Sequence, residues 1–145
     1  MNADSTARTS WHGTLTRGSG TTSLASGATS PLEVTWGART ERVAGTTSPE
    51  ELIAAAHASC YAMALSHELG EAGATPENLD VSVTVTFELV DGAPTITRSA
   101  LTVRGGAPGI DAAGFATAAA AAKEGCPVSR ALKGNVEITL DAALA

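Results

Sequence analysis

The stretch TSPEELIAAAHASCYAMALSHELGEAG, residues 47–73, decides the architecture. Ser48 stands as a helix N-cap, Pro49 takes the first helical position, where its missing N–H costs nothing, and Glu51 completes a capping box. Leu52, Ile53, Ala56, Cys60, Met63 and Ala64 then recur at helical spacing. The following GEAGATP supplies the stop. The pattern predicts one long, substantially buried helix, whose alanines let another helix backbone approach closely. It carries one cysteine. The only other cysteine lies far downstream, in KEGCPVSRAL, residues 123–132.

The elements on either side follow from local signals. SWHGTLT (10–16) reads as a strand, RGSG as a turn, a second run lies near 20–26, and PLEVTWGA (31–38) is a third extended piece. The first forty residues therefore form a β-meander. DVSVTVTFELV (80–90) alternates strictly, with Val81, Val83, Val85, Phe87 and Leu89 on one face, which marks a half-buried strand. DGAP turns it into a hairpin partner, TITRSALTVRG. Asp111 caps the Ala-rich helix AAGFATAAAAAKE, which breaks at Gly125. PVSRALK starts a short helix at Pro127, and NVEITLDAAL closes the chain as a strand. The expected class is α+β, with helices packed on antiparallel sheet in a single domain over residues 1–145.

Composition narrows the function. The 145 residues carry a formal charge of -6 and no Lys/Arg run, which argues against a nucleic-acid partner, since such a partner demands a basic face. No segment approaches the roughly 18 apolar residues of a membrane span, and MNADSTARTS lacks the apolar core of a signal peptide. A cytoplasmic protein with no membrane partner is expected. In that compartment a permanent structural disulfide is unusual, so the two cysteines are either inert or reactive.

Cys60 sits mid-helix, where a buried inert thiol is one reading. Cys126 directly precedes the Pro127 helix start, where the helix N-terminus favours a thiolate. A pair suits peroxide reduction: one thiolate becomes a sulfenic acid and a second thiol condenses with it to a disulfide. A free thiol of pKa near 8.5 is about a few per cent ionised at neutral pH, so full ionisation gains only tens of fold. A cation that stabilises the departing oxygen is therefore also needed. Arg39, in the loop after the third strand, is the candidate; Arg42 and Arg130 compete.

The stretch GTTSPEELIAAAHASCYAMALSHELGEAG, together with PGIDAAGF and CPVSRALK, resembles the osmotically inducible protein C family of thiol peroxidases, from WHG near the start to the last strand. AAHASC and CPVS place the resemblance on the osmotically inducible branch. The organic-hydroperoxide-resistance branch tends to carry an aromatic after Cys-Pro. The resemblance implies an intertwined homodimer, with antiparallel sheets around two long central helices and two active sites at the subunit interface. It implies reduction of organic hydroperoxides, and less readily hydrogen peroxide, to alcohols, without a cofactor or metal. A dithiol of lipoyl or thioredoxin-like kind would be the reductant. Cys60 matches the peroxidatic position and Cys126 the resolving one, while Arg39 and Glu50 match an arginine–carboxylate pair flanking the reactive sulfur. Glu50 and Cys60 stand ten residues apart, about 15 Å along one straight helix. A Glu50 that serves the site is thus expected from the partner chain, through antiparallel pairing of the long helices near Ala55.

Rival readings use the same residues. His57, three positions before Cys60, could make a Cys–His pair for acyl transfer, although no orienting acid accompanies it. His57, Cys60, His67 and Cys126 could ligate a metal, but they lack the short paired spacing of structural zinc sites. A non-catalytic stress-response binding protein with silent cysteines is the third.

Overall fold

A computed structural model describes residues 1–145, in the order β1 (Ala7–His12), β2 (Ser19–Leu24), β3 (Leu32–Thr35), α1 (Trp36–Thr40), α2 (Pro49–Glu71), β4 (Asn78–Val90), β5 (Ala93–Gly106), α3 (Ala112–Gly125), α4 (Pro127–Leu132) and β6 (Glu137–Leu144). The class is α+β, with two three-stranded sheets and four helices. The chain forms two compact units, Met1–Leu52 and Ile53–Ala145. No helix is long and apolar enough to cross a membrane.

In the first unit, β1, β2 and β3 form the expected antiparallel meander. The expected first strand is displaced: β1 ends at His12, because Gly13 adopts φ +88° and the chain turns there. The third strand is shorter than expected. Thr35 accepts a hydrogen bond from the Ala38 N–H (3.0 Å) and caps α1, so the WGA segment is helical. Gly20 is required by close approach: a Cβ there would stand 2.8 Å from the Trp11 ring and 3.0 Å from Val34.

Helix α2 starts where its caps predict. The Glu51 N–H donates to Ser48 Oγ (3.2 Å). The other half of the box is altered, since the Glu51 carboxylate accepts from the Thr47 hydroxyl. The buried stripe also differs from expectation. His57, Tyr61, Leu65 and Leu69 are fully buried, whereas Ala56 is exposed and Met63 is 69% exposed. Tyr61 and His57 find polar partners inside, which lets these larger side chains occupy the core.

The second unit is built on the β4–β5 hairpin. Val90 pairs with Ala93 across a two-residue turn, and Asp91 and Gly92 both take positive φ (52° and 80°), as a type I′ turn requires. The alternation of β4 holds only as far as Val85. A register shift between Thr86 and Phe87 rotates the strand end, leaving Leu89 67% exposed. The expectation of purely antiparallel sheet also fails: β6 pairs with β5 in parallel. The reason is connectivity, because β6 follows β5 through α3 and α4, a helical crossover that returns the chain in the same direction. Asp111 caps α3 as predicted, accepting from the Gly114 N–H at 2.8 Å.

The core of this unit joins Tyr61, Leu65 and Leu69 of α2 to Leu101 and Val103 of β5 and to Phe115, Ala118, Ala119 and Ala122 of α3. Cys126 lies in the same cluster. A chain with few aromatics builds this core by close approach of alanine faces. Substituting Gly92→Ala should cost about 1 kcal/mol in urea unfolding, because φ is left-handed there. Gly70→Ala, on α2 with no atom within 4 Å of the new Cβ, should instead stabilise by roughly 0.5 kcal/mol.

Candidate active site

The second unit brings the two cysteines together. Cys60 on α2 and Cys126 at the N-cap of α4 are free thiols, near enough that each alters the ionisation of the other. Cys126 is fully buried and Cys60 is partly exposed. The difference follows from their elements: Cys60 flanks the buried stripe of α2, while Cys126 is sealed inside the α3–α4 corner.

The two thiols compete for one charge. Burial opposes ionisation of Cys126, but it is outweighed by the Ser129 N–H, the Cys60 thiol, the Ser129 hydroxyl and the Val128 N–H, so its pKa is lowered. Cys60 is pushed up, first by burial and then by the neighbouring Cys126, against a contact from the Val128 N–H. Of the two sulfurs, the inner one is therefore the more readily ionised. Accessibility points the other way, because only Cys60 can meet a solute. The ionisation of each thiol is therefore tied to that of the other.

His57 lies behind the pair. Its ring is fully buried between two hydroxyls, with Nδ1 at 2.8 Å from Ser99 Oγ and Nε2 at 2.8 Å from Ser129 Oγ. Desolvation lowers its pKa, so the ring is held neutral. Tyr61 OH donates to the Ala119 carbonyl at 3.0 Å, and burial pushes its phenol up strongly. Sequence reasoning singled out His57 as a rival nucleophile partner or a metal ligand, and passed over Ser99 and Ser129 entirely. Only tertiary packing reveals them, since they stand 42 and 72 residues from His57. His67, of the metal reading, is exposed.

The first unit holds the other two predicted residues. Arg39 belongs to α1 rather than to a loop. Its Nε donates to Glu50 Oε1 at 2.8 Å, and its Nη2 stands 2.8 Å from the same oxygen in an ion pair. Glu50 is 1% exposed, and its Oε2 is buried without a hydrogen-bond partner. The guanidinium also stands 5.8 Å from the Trp36 ring centroid, over its face. Arg39 and Trp36 edge an open hollow of ≈ 440 Å³, walled mainly by Trp11, Leu15, Val34 and Leu52. A buried carboxylate held by arginine, beside an apolar hollow, can orient a polar head on an otherwise greasy molecule.

The family model described as OsmC-like protein matches residues 42–141. The chain belongs to this family. It is 47% identical over 131 residues to the protein named peroxiredoxin OsmC of Escherichia coli, a match spanning 90% of each chain. Among solved structures it is similar to the organic hydroperoxide resistance protein OhrB of Bacillus subtilis, with TM-score 0.73, 27% identity and coverage of 94% of this chain and 97% of that one. The organic hydroperoxide resistance protein from Elizabethkingia anophelis shares the fold over the full length of both chains, at TM-score 0.74 and 21% identity.

A buried neutral histidine makes this OsmC-like chain sensitive to acid. The folded pKa of His57 lies below its ordinary 6.5, so between those values the unfolded state binds a proton that the folded state does not. Stability should fall as pH drops below about 6.5, and His57→Gln should flatten that slope in urea titrations at a series of pH values.

Proposed function

We propose that this chain is a cysteine-based peroxidase of oxidative and osmotic stress defence, which reduces organic hydroperoxides to alcohols and hydrogen peroxide less readily. The observation that carries the reading is the juxtaposed pair of free thiols, one reachable and one sealed. Family membership and the names of the relatives point to the same chemistry.

In this reading Cys60 passes its proton to Cys126 and attacks the distal peroxide oxygen. The O–O bond breaks, an alkoxide leaves and is protonated, and Cys60 becomes a sulfenic acid. Cys126 then forms the S–S bond, displacing hydroxide as water, and a lipoyl or thioredoxin-like dithiol reopens the disulfide. Arg39, oriented by Glu50, enters through the family resemblance, as the cation that stabilises the departing oxygen. The apolar walls beside it favour an organic peroxide over hydrogen peroxide.

The active form in this reading is a homodimer working in the cytoplasm, where thiols are kept reduced. The exposed face of α2, including Ala55, Ala56 and Met63, is the surface for a second copy. Glu50 and Cys60 lie about 15 Å apart along one helix, so the Arg39–Glu50 pair is assigned to the Cys60 of the partner subunit.

Cys60→Ser should abolish catalytic consumption of cumene hydroperoxide, and Cys126→Ser should complete one reduction and stall. Intact mass after one equivalent of peroxide should fall by two hydrogens, mapped to Cys60 and Cys126; peroxide turnover by Cys60→Ser would end the assignment. Mixing Cys60→Ser chains with Arg39→Met chains, each inactive alone, should restore about a quarter of wild-type turnover, the fraction of sites that random dimer exchange leaves intact. No recovery in demonstrably mixed dimers would place Arg39 and Cys60 of one site on the same chain.

A further inference from the structure

The resolving step has a proton to remove, from a sulfur that is itself closed to solvent. Once Cys60 has passed its proton inward and been oxidised, Cys126 is a thiol, and it must lose that proton to close the disulfide. Cys126 is fully buried. The Val128 and Ser129 N–H groups near its sulfur can only donate. Tyr61 has its hydrogen committed to the Ala119 carbonyl. The neighbouring Cys60 has become the electrophile. What remains is the Ser129 hydroxyl, three residues beyond Cys126 on α4, which favours the Cys126 anion and stands 2.8 Å from His57 Nε2.

We propose that His57, acting through the Ser129 hydroxyl, is the base that takes the proton of Cys126 as this thiol attacks the Cys60 sulfenic acid. The inference rests on the peroxidase reading and adds a positioning residue to it. In the step, the Cys126 S–H proton passes to Ser129 Oγ while the Ser129 hydroxyl proton passes to His57 Nε2. The Cys126 lone pair forms the S–S bond, and the S–O bond of Cys60 breaks with its electrons on oxygen. The hydroxide leaves on the partly exposed Cys60 side and takes a proton from solvent, and His57 afterwards releases the proton it holds, so one sulfenic acid and one thiol become one disulfide and one water.

The surroundings of His57 suit this task. Both partners of the ring are hydroxyls, and a hydroxyl can donate or accept. Neither tautomer is therefore forbidden, nor is the imidazolium, since Ser99 and Ser129 can each turn to accept from it. A carboxylate partner would have fixed the ring as a cation, and a carbonyl would have fixed one nitrogen as a donor. Burial keeps the ring neutral between turnovers, which is the form that can accept. The Cys126 anion formed at the other end of Ser129 balances the transient positive charge.

The experiment mixes reduced protein with one equivalent of cumene hydroperoxide. Samples are quenched at intervals with dimedone, and sulfenic-acid adduct and disulfide are counted by intact mass. In His57→Gln and in Ser129→Ala, conversion of sulfenic acid to disulfide should slow by roughly tenfold or more relative to sulfenic acid formation in the same variant. Ser129→Thr, which keeps the hydroxyl, should restore it. Conversion at the parent rate in both variants, or equal slowing of both steps, overturns the relay. A parent protein that forms neither adduct nor disulfide overturns the peroxidase reading itself, and the relay with it.

Discussion

Everything in the second unit depends on how α2 is rotated about its own axis. With His57, Tyr61, Leu65 and Leu69 facing inward, Cys60 is carried to the edge of the core, beside the corner where α3 ends and α4 begins. Turn the helix by one residue, about 100°, and either Cys60 is swallowed or it faces away from Cys126. That rotation is set by fit: Phe115 and the alanines of α3 leave a groove that a tyrosine ring fills, with a carbonyl at its end for the phenol. Methionine and alanine on the opposite face supply nothing comparable to bury.

This is also where the sequence was hardest to read. Capping signals located α2, α3 and α4 closely, because Ser48, Asp111 and Pro127 act on their own backbone within a few residues. The rotation of α2 was not legible, since its alanines are indifferent to environment and its most deeply buried members include a histidine and a tyrosine. The parallel pairing of β6 and the bulge after Thr86 escaped for a related reason. Both are settled by what the strand meets across the sheet, and a strand's own alternation carries no record of that. Helix α1 escaped because Trp36 and Gly37 read as extended, whereas a single Thr35 cap bends them into a turn.

The candidate site shows the same division. The cysteines stood out as the only two in the chain, Arg39 was the candidate for the cation that the chemistry needs, and Glu50 came from a resemblance; the structure then gave the Arg39–Glu50 pair a geometry, two guanidinium nitrogens on one buried oxygen. Ser99 and Ser129 carried no signal at all. A serine becomes informative only when it is buried against a ring nitrogen, and burial is a property of the fold. The polar groups behind a reactive atom are generally of this sort: common residues made unusual by place.

In the proposed reaction, the sealing of Cys126 gives the oxidised centre a front and a back. A disulfide drawn across these two sulfurs would show solvent only its Cys60 end, so an incoming thiolate has one point of entry and makes its mixed disulfide there. The sulfur expelled is then always the inner one, leaving into amide N–H groups that already favour its negative charge. Since a better-stabilised leaving thiolate departs faster, the burial that hides this sulfur from peroxide also directs, and eases, its release.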